Sequence, residues 1–140
     1  MSDKYKVLGK FIKDMSSETP NTETYLFVKE NISKYQLNID IISKAIKDKV
    51  IEINTTLKFE DKNDNERKSY FEIVFATIVK ISDEVREKKE IEKIVLCEVQ
   101  KEIYPGLEKI LIRTIKDAGF PALKLDKKID FDLLYRQQTN

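Results

Sequence analysis

Apolar side chains fall on alternate positions through the first part of this chain and on every third or fourth position after residue 90. That change of period constrains the fold more than any other feature. Tyr35, Leu37, Ile39 and Ile41 alternate with Gln36, Asn38 and Asp40. Ile51, Ile53, Leu57 and Phe59 alternate with Glu52, Asn54, Lys58 and Glu60, and Phe71, Ile73, Phe75, Val79 and Ile81 form a third odd-numbered row. Period 2 with β-branched and aromatic residues predicts half-buried strands. Tyr5, Val7 and Phe11, broken by Gly9, predict a weaker first strand. From Ile91 the stripe becomes Ile94, Val95, Val99 and Ile103, then Leu107, Ile110, Leu111, Thr114 and Ile115, as on one face of a helix. Pro105-Gly106 is read as interrupting it, with Pro in the first turn of a new helix. Gly119 suits a helix C-terminus and Pro121 stops continuation. Asp130 predicts the N-cap of a short last helix, with Ile129 and Leu134 placed for a hydrophobic staple.

Strands first and helices after predict an α+β fold. It is a four-stranded antiparallel sheet with a long, Pro-interrupted helix and a short C-terminal helix packed on one face. The apolar-free run Asp61–Glu66 and the link Lys47–Lys49 predict hairpin turns. Ser16–Ser33, with Pro20 and Asn21, reads as a long connection, the kind that more often carries function. No repeat or linker appears, so residues 1–140 are expected to form a single domain.

Composition narrows the function. There are 26 basic and 25 acidic side chains, interleaved as in Glu87–Lys93, so nothing supports nucleic-acid binding by bulk charge. Histidine is absent and Cys97 is the one cysteine, which excludes a Ser-His-Asp triad, a Cys-His pair, His-ligated zinc and an internal disulfide. Only three glycines occur, Gly9, Gly106 and Gly119, and none belongs to a phosphate-cradling loop. Neither a signal peptide in Met1–Lys13 nor a membrane span is expected, and no cofactor is implied. The expected place is the reducing cytoplasm. An enzyme is the least supported class, because no convergent acid-base set is visible.

Several stretches carry two readings. The even-numbered side of the last strand holds Tyr70, Val74, Ala76 and Ile78 beside Glu72: either a central strand covered by a loop or subunit, or an apolar patch that binds something. Tyr25, Leu26, Phe27 and Val28 form an apolar run inside the connection. With Tyr35 they either plug the edge of the core or wall a groove, where aromatics give sequence-tolerant contact. Read as extended chain, the run would turn Tyr25 and Phe27 one way and Leu26 and Val28 the other. Phe131, Leu134 and Tyr135 of the last helix carry the same two readings. Cys97 reads as a small buried hydrophobe, with a reactive thiol as the other possibility.

Phe11-Ile-Lys-Asp-Met-Ser-Ser-Glu-Thr-Pro-Asn21 resembles the opening of SecB export chaperones, where such a segment ends the first strand and enters a crossover loop. Ile103-Tyr104-Pro105 resembles the family's Leu-Phe-Pro. Asp117–Asp126, containing Gly119-Phe120-Pro121, and Ile129–Tyr135 resemble its last two blocks, in order and at similar spacing. The resemblance spans Tyr5 to Gln138. It implies a non-enzymatic, ATP-independent holdase, assembled as a homotetramer from dimers, that receives unfolded preproteins and delivers them to the SecA ATPase. By position it implies SecA docking at Asp14, Glu18 and Glu72. It implies that clients bind in apolar grooves lined by sheet, crossover loop and helix, so that the apolar residues read above, Tyr25, Leu26, Phe27, Val28, Val74, Ile78, Phe131, Leu134 and Tyr135, are the client-binding candidates. The chain departs from the family where Val74-Phe75-Ala76-Thr77 replaces Gln-Gln-Gly-Gly, and in its near-neutral charge. The alternative is a SecB-like oligomer dedicated to one labile partner, such as an antitoxin.

Overall fold

The computed structural model describes residues 3–62, 67–121, 123, 125 and 129–139. The chain runs β1 (Tyr5–Glu18), α1 (Thr22–Asn31) with a 3₁₀ turn at Ile32–Lys34, β2 (Gln36–Lys47), β3 (Val50–Glu60) and β4 (Tyr70–Ile81). It continues through α2 (Lys88–Lys93), a π-helical turn (Ile94–Glu98), α3 (Val99–Asp117) and α4 (Phe131–Thr139). The four strands make one antiparallel sheet in the order β1-β4-β3-β2. β1 and β2 are therefore opposite edges, and the connection between them has to cross the sheet. Both expected hairpins are present, β2 to β3 through Lys49 (φ 61°) and β3 to β4. Of the polar run 61–66, residues 63–66 lie outside the described residues. So do five residues in 122–128, within and just after the block Asp117–Asp126.

The odd rows of β3 and β4 are core. Ile53, Leu57, Phe59, Phe71, Ile73, Val79 and Ile81 are almost entirely buried beneath Val99, Ile103, Leu107, Leu111 and Ile115 of α3. The Thr55 hydroxyl donates to Gln100 Oε1 at 2.9 Å, which ties the same sheet face to the helix. Even-numbered residues of these two strands look away from the helices.

Three expectations are corrected. First, the stretch Ser16–Ser33 is not a loop: β1 continues to Glu18 and α1 follows. The Asn21 side chain accepts from Thr24 N–H at 2.8 Å as an N-cap, and Thr24, Val28 and Ile32, spaced by four, are buried. Helical spacing replaces the alternation expected for Tyr25–Val28.

Second, α3 passes through Pro105-Gly106 without a break. Pro cannot donate to the carbonyl four residues back, but Pro105 and Lys101 both lie on the exposed side, where water can take that carbonyl. The irregularity sits earlier. Val99 N–H bonds Ile94 O across the π turn, and Gln100 Nε2 donates to the Val95 carbonyl at 3.2 Å.

Third, Phe11 does not share a row with Tyr5 and Val7. Register shifts between Val7 and Gly9 and between Ile12 and Asp14 turn Phe11 outward opposite Ala76, while Ile12 and Met15 lie opposite Phe75 and Ile73 on the helix side.

The helix ends follow the sequence. Gly119 (φ 104°) and Phe120 bond back to Lys116 O and Ile115 O in a Schellman motif, and Asp130 caps α4 through Leu133 N–H at 3.1 Å. Among the described residues, no helix is long and apolar enough to cross a membrane.

Candidate functional site

The strand register collects Asp14, Glu18 and Glu72 on the outward sheet face. Glu72 lies opposite Ser16, Asp14 opposite Val74 and Glu18 opposite Tyr70, so the two β1 acids flank Glu72 diagonally. Asp14 and Glu18 are exposed and Glu72 is half-buried. Glu72 also faces Lys58 across β3, with the ion pair at 3.9 Å; Lys58 reaches Glu60 at 3.6 Å as well. Nearby, Lys13 stretches from β1 across β4 to Glu52 on β3 at 2.7 Å. That bond, with a second from Asn54, holds the Glu52 carboxyl below the usual carboxylate range.

Val74 and Ile78 join this outward face and not the other expected client contacts. They are half-buried and sit diagonally on either side of Phe11. The alternative readings of the last strand thus meet in one place. β4 is central, and its outward side is apolar at Val74, Ala76 and Ile78.

The other expected contacts lie on the helix-bearing side and divide by burial. Val28 and Phe131 are 1% and 4% exposed, so they belong to the core of the subunit and offer no surface. Phe131 packs edge-on against Tyr104 with centroids 5.5 Å apart. Tyr25 is half-buried: its hydroxyl donates to Gly119 O at 2.6 Å and its ring lies 5.2 Å from Phe120, fastening α1 to the end of α3. Tyr35 is core. It packs on Phe59 and accepts from Ser69 N–H, and burial first of all pushes its phenol up. Phe27, Leu134 and Tyr135 are half-buried, and the Tyr135 hydroxyl donates to Lys89 O. Leu26, in contrast, is 56% exposed.

Cys97 is buried, and its thiol donates to Asp132 Oδ1 at 3.0 Å, while Lys101 reaches Oδ2 at 2.7 Å. Burial, then that bond, pushes the thiol pKa up, so it stays protonated and inert. The Cys97 and Lys101 bonds in turn hold the Asp132 carboxyl low. This clasp fixes α4 on the π turn. Among the described residues no group of acids and cysteine is placed to hold a metal ion.

The sequence reading missed Leu8, Ile12, Met15, Ile42, Ile46 and Leu133, all large apolar side chains left 43–62% exposed. Ile12 and Met15 lie on the helix side of β1, beyond the cover the helices give. Their signal was the apolar residue every few positions from Leu8 to Met15, obscured by the two bulges.

Comparison with known proteins decides the lineage. The family described as preprotein translocase subunit SecB matches residues 2–140. The chain belongs to the SecB family. A putative protein-export protein SecB of Pelagibacter ubique is 54% identical over 140 residues, covering all of both chains. Protein-export proteins SecB of Rhodopseudomonas palustris and a Bradyrhizobium strain are 30% and 28% identical, covering 94% of this chain and 78% and 79% of theirs. Among solved structures, the Mycobacterium tuberculosis Rv1957 SecB-like chaperone, in complex with a ChAD peptide from the Rv1956 HigA1 antitoxin, superposes with a TM-score of 0.67. It is 9% identical and covers 91% of this chain and 92% of that one, a likeness of fold. Membership of SecB makes this chain a protein-export chaperone by family, and the SecB-like fold agrees with the sheet and helices above.

Proposed function

We propose that this SecB chain is an ATP-independent, non-enzymatic holdase of the cytoplasm that binds unfolded preproteins, works as a homotetramer of paired dimers, and delivers its clients to SecA. The observation that carries the reading is the exposed apolar surface on the helix side. The folded chain leaves Ile12 and Met15 on β1, Leu26 on α1 and Leu133 on α4 exposed, and apolar side chains that join into a contiguous patch mark an interaction site. The β1 residues serve assembly. Leu26, with half-buried Tyr25 and Phe27 beside it, serves clients. Binding by apolar contact shifts the balance of a client toward its unfolded form without nucleotide, and several weak contacts on one oligomer combine through effective concentration. SecA docks on the opposite face, around Asp14, Glu18 and Glu72. A narrower reading, one dedicated partner in place of many preproteins, is favoured by the antitoxin peptide held by the structurally similar mycobacterial chaperone.

Titration calorimetry with a denatured preprotein, without nucleotide, tests the client surface. Leu26→Ser is expected to weaken binding about tenfold, on the scale of one buried aliphatic side chain, and to leave the melting temperature nearly unchanged. Val28→Ser is expected to do the reverse, costing about 2–4 kcal/mol of stability, with client affinity retained at a temperature where the variant is folded. Equal affinity for Leu26→Ser and the parent chain removes α1 from the client surface.

A further inference from the structure

The outward sheet face is electrically divided along its strands. At the end of the β2–β3 hairpin, the register lines up Lys6 (β1), Lys80 (β4), Val50 (β3) and Lys47 (β2) in one row across the sheet. The next row is Gly9, Ile78, Glu52 and Lys44, and the third is Phe11, Ala76, Asn54 and Ile42. Lys13 already holds the Glu52 carboxylate at 2.7 Å, so the lysines are the surplus charge of this end. Lys6, Lys47 and Lys80 are exposed and take no ion pair among the described residues. The far end carries Asp14, Glu18, Asp40, Glu60 and Glu72 against Lys58. Lys80 and Glu72 lie about 26 Å apart on β4, at about 3.3 Å per residue. That is well beyond the Debye length of about 8 Å at physiological salt, so the two ends act separately.

Lys6 lies directly opposite Lys80, a like-charge pair that costs stability in a sheet. Asp3, Asp48 and Asp83 lie in the turns beyond the strand ends. Asp3 and Asp83 share a shallow depression of about 270 Å³ with Lys6 and Lys80 but form no ion pair with them. Large apolar side chains stand among the lysines. Leu8 and Ile46, 50% and 49% exposed, sit in the bulges of β1 and β2 at this end, and Ile42 is 62% exposed. They occupy opposite edges of the sheet, three strand spacings or about 14 Å apart, so one partner side chain could not cover them together. The rows hold lysine and no arginine, point charges on flexible stems in place of rigid forks. A flat array of this kind matches a plane of phosphates better than a peptide seated in a cleft. We infer that the lysine end of the outward face rests on an anionic lipid surface. Lys6, Lys44, Lys47 and Lys80 meet headgroup phosphates, and Leu8, Ile42 and Ile46 enter the boundary between headgroups and acyl chains. The contact is peripheral, and it requires neither SecA nor a client.

The test is cosedimentation of the full chain, alone, with vesicles of phosphatidylcholine containing about one third phosphatidylserine. The parent chain is expected to bind them, to be released as salt is raised, and to leave pure phosphatidylcholine vesicles untouched. Lys6→Gln with Lys80→Gln should weaken binding about twentyfold, from about fivefold per lysine near such a surface. Ile42→Ser with Ile46→Ser should weaken it about tenfold, on the scale of the apolar area withdrawn from the interface. Lys29→Gln with Lys34→Gln removes the same charge from exposed positions on the helix-bearing side and should leave binding nearly unchanged. All six positions are exposed, so the melting temperatures should match that of the parent. Soluble polyglutamate at equal charge is expected to leave most of the chain on the vesicles. If it releases the chain completely, this end takes an acidic polypeptide and the inference falls. It falls equally if the parent chain ignores the phosphatidylserine vesicles, if pure phosphatidylcholine binds as well, if either outward-face pair binds like the parent, or if the Lys29/Lys34 pair loses as much as the Lys6/Lys80 pair.

Discussion

Ile12→Asp together with Met15→Asp is expected to split the tetramer into dimers. Multi-angle light scattering at micromolar concentration should give about twice 16.5 kDa for the variant and about four times 16.5 kDa for the parent. β1 is the longest strand, 14 residues, and lies at the sheet edge with one row of backbone groups unpaired. On its helix side Ile12 and Met15 are 44% and 43% exposed, with Leu8 at 50% in the neighbouring bulge. Long edges with apolar side chains are templates for pairing with another chain, and proteins that stay monomeric blunt them with charge. Two carboxylates placed there would be desolvated without partners at any interface using this strand, a penalty of several kcal/mol, which corresponds to several powers of ten in dissociation constant. Because both positions are exposed in the subunit, its fold should survive, visible as unchanged far-ultraviolet dichroism. A parent chain that is already monomeric, or a variant that keeps the full mass, removes β1 from the assembly.

Gln100→Ala is expected to cost about 3–4 kcal/mol. Gln100 is fully buried, accepts from the Thr55 hydroxyl and donates to the Val95 carbonyl within the π turn. Removing it strands both groups in the core, each worth about 1–3 kcal/mol, and leaves a cavity. The melting temperature should fall by roughly 10 °C, compared at one protein concentration because assembly adds to apparent stability. Adding Thr55→Val removes one of the stranded groups, so the double variant should be more stable than the single one. Urea titration of both tests this. A double variant that loses the sum of the two single losses shows that Thr55 and Gln100 do not act together.

Much of the fold could be read from residues because its signals are local. The odd rows of β3 and β4, the four-residue spacing of Ile103, Leu107, Leu111 and Ile115, the glycine at 119 and the cap at Asp130 each need only a few neighbours to be recognised. Helix α1 was legible too, in Asn21 followed by Thr24, Val28 and Ile32, but Pro20 and the apolar run hid it. The break expected at Pro105 was misplaced because a proline on the solvent side of a helix strands a carbonyl that water can reach. The π turn, which does disturb the helix, carries the bond of Gln100 back to Val95, a contact no period reveals.

The site was less legible for the same reason. Asp14, Glu18 and Glu72 were placed by resemblance to SecB, and the register puts them on one face. Their surroundings depend on pairing between distant strands. Nothing near Glu72 in sequence announces Lys58, and nothing near Glu52 announces Lys13. Two bulges in β1 decided that Phe11 joins Val74 and Ile78 outside while Ile12 and Met15 turn toward the helices. One residue of slip exchanges the faces, so these assignments wait on the structure.

Aggregation of several unrelated denatured proteins, followed by light scattering with and without the purified chain and with no nucleotide present, tests the holdase account most directly. The account predicts suppression of all of them at about one tetramer per client. Aggregation that proceeds unchanged for every client, at concentrations where the chain is folded and assembled, would contradict it.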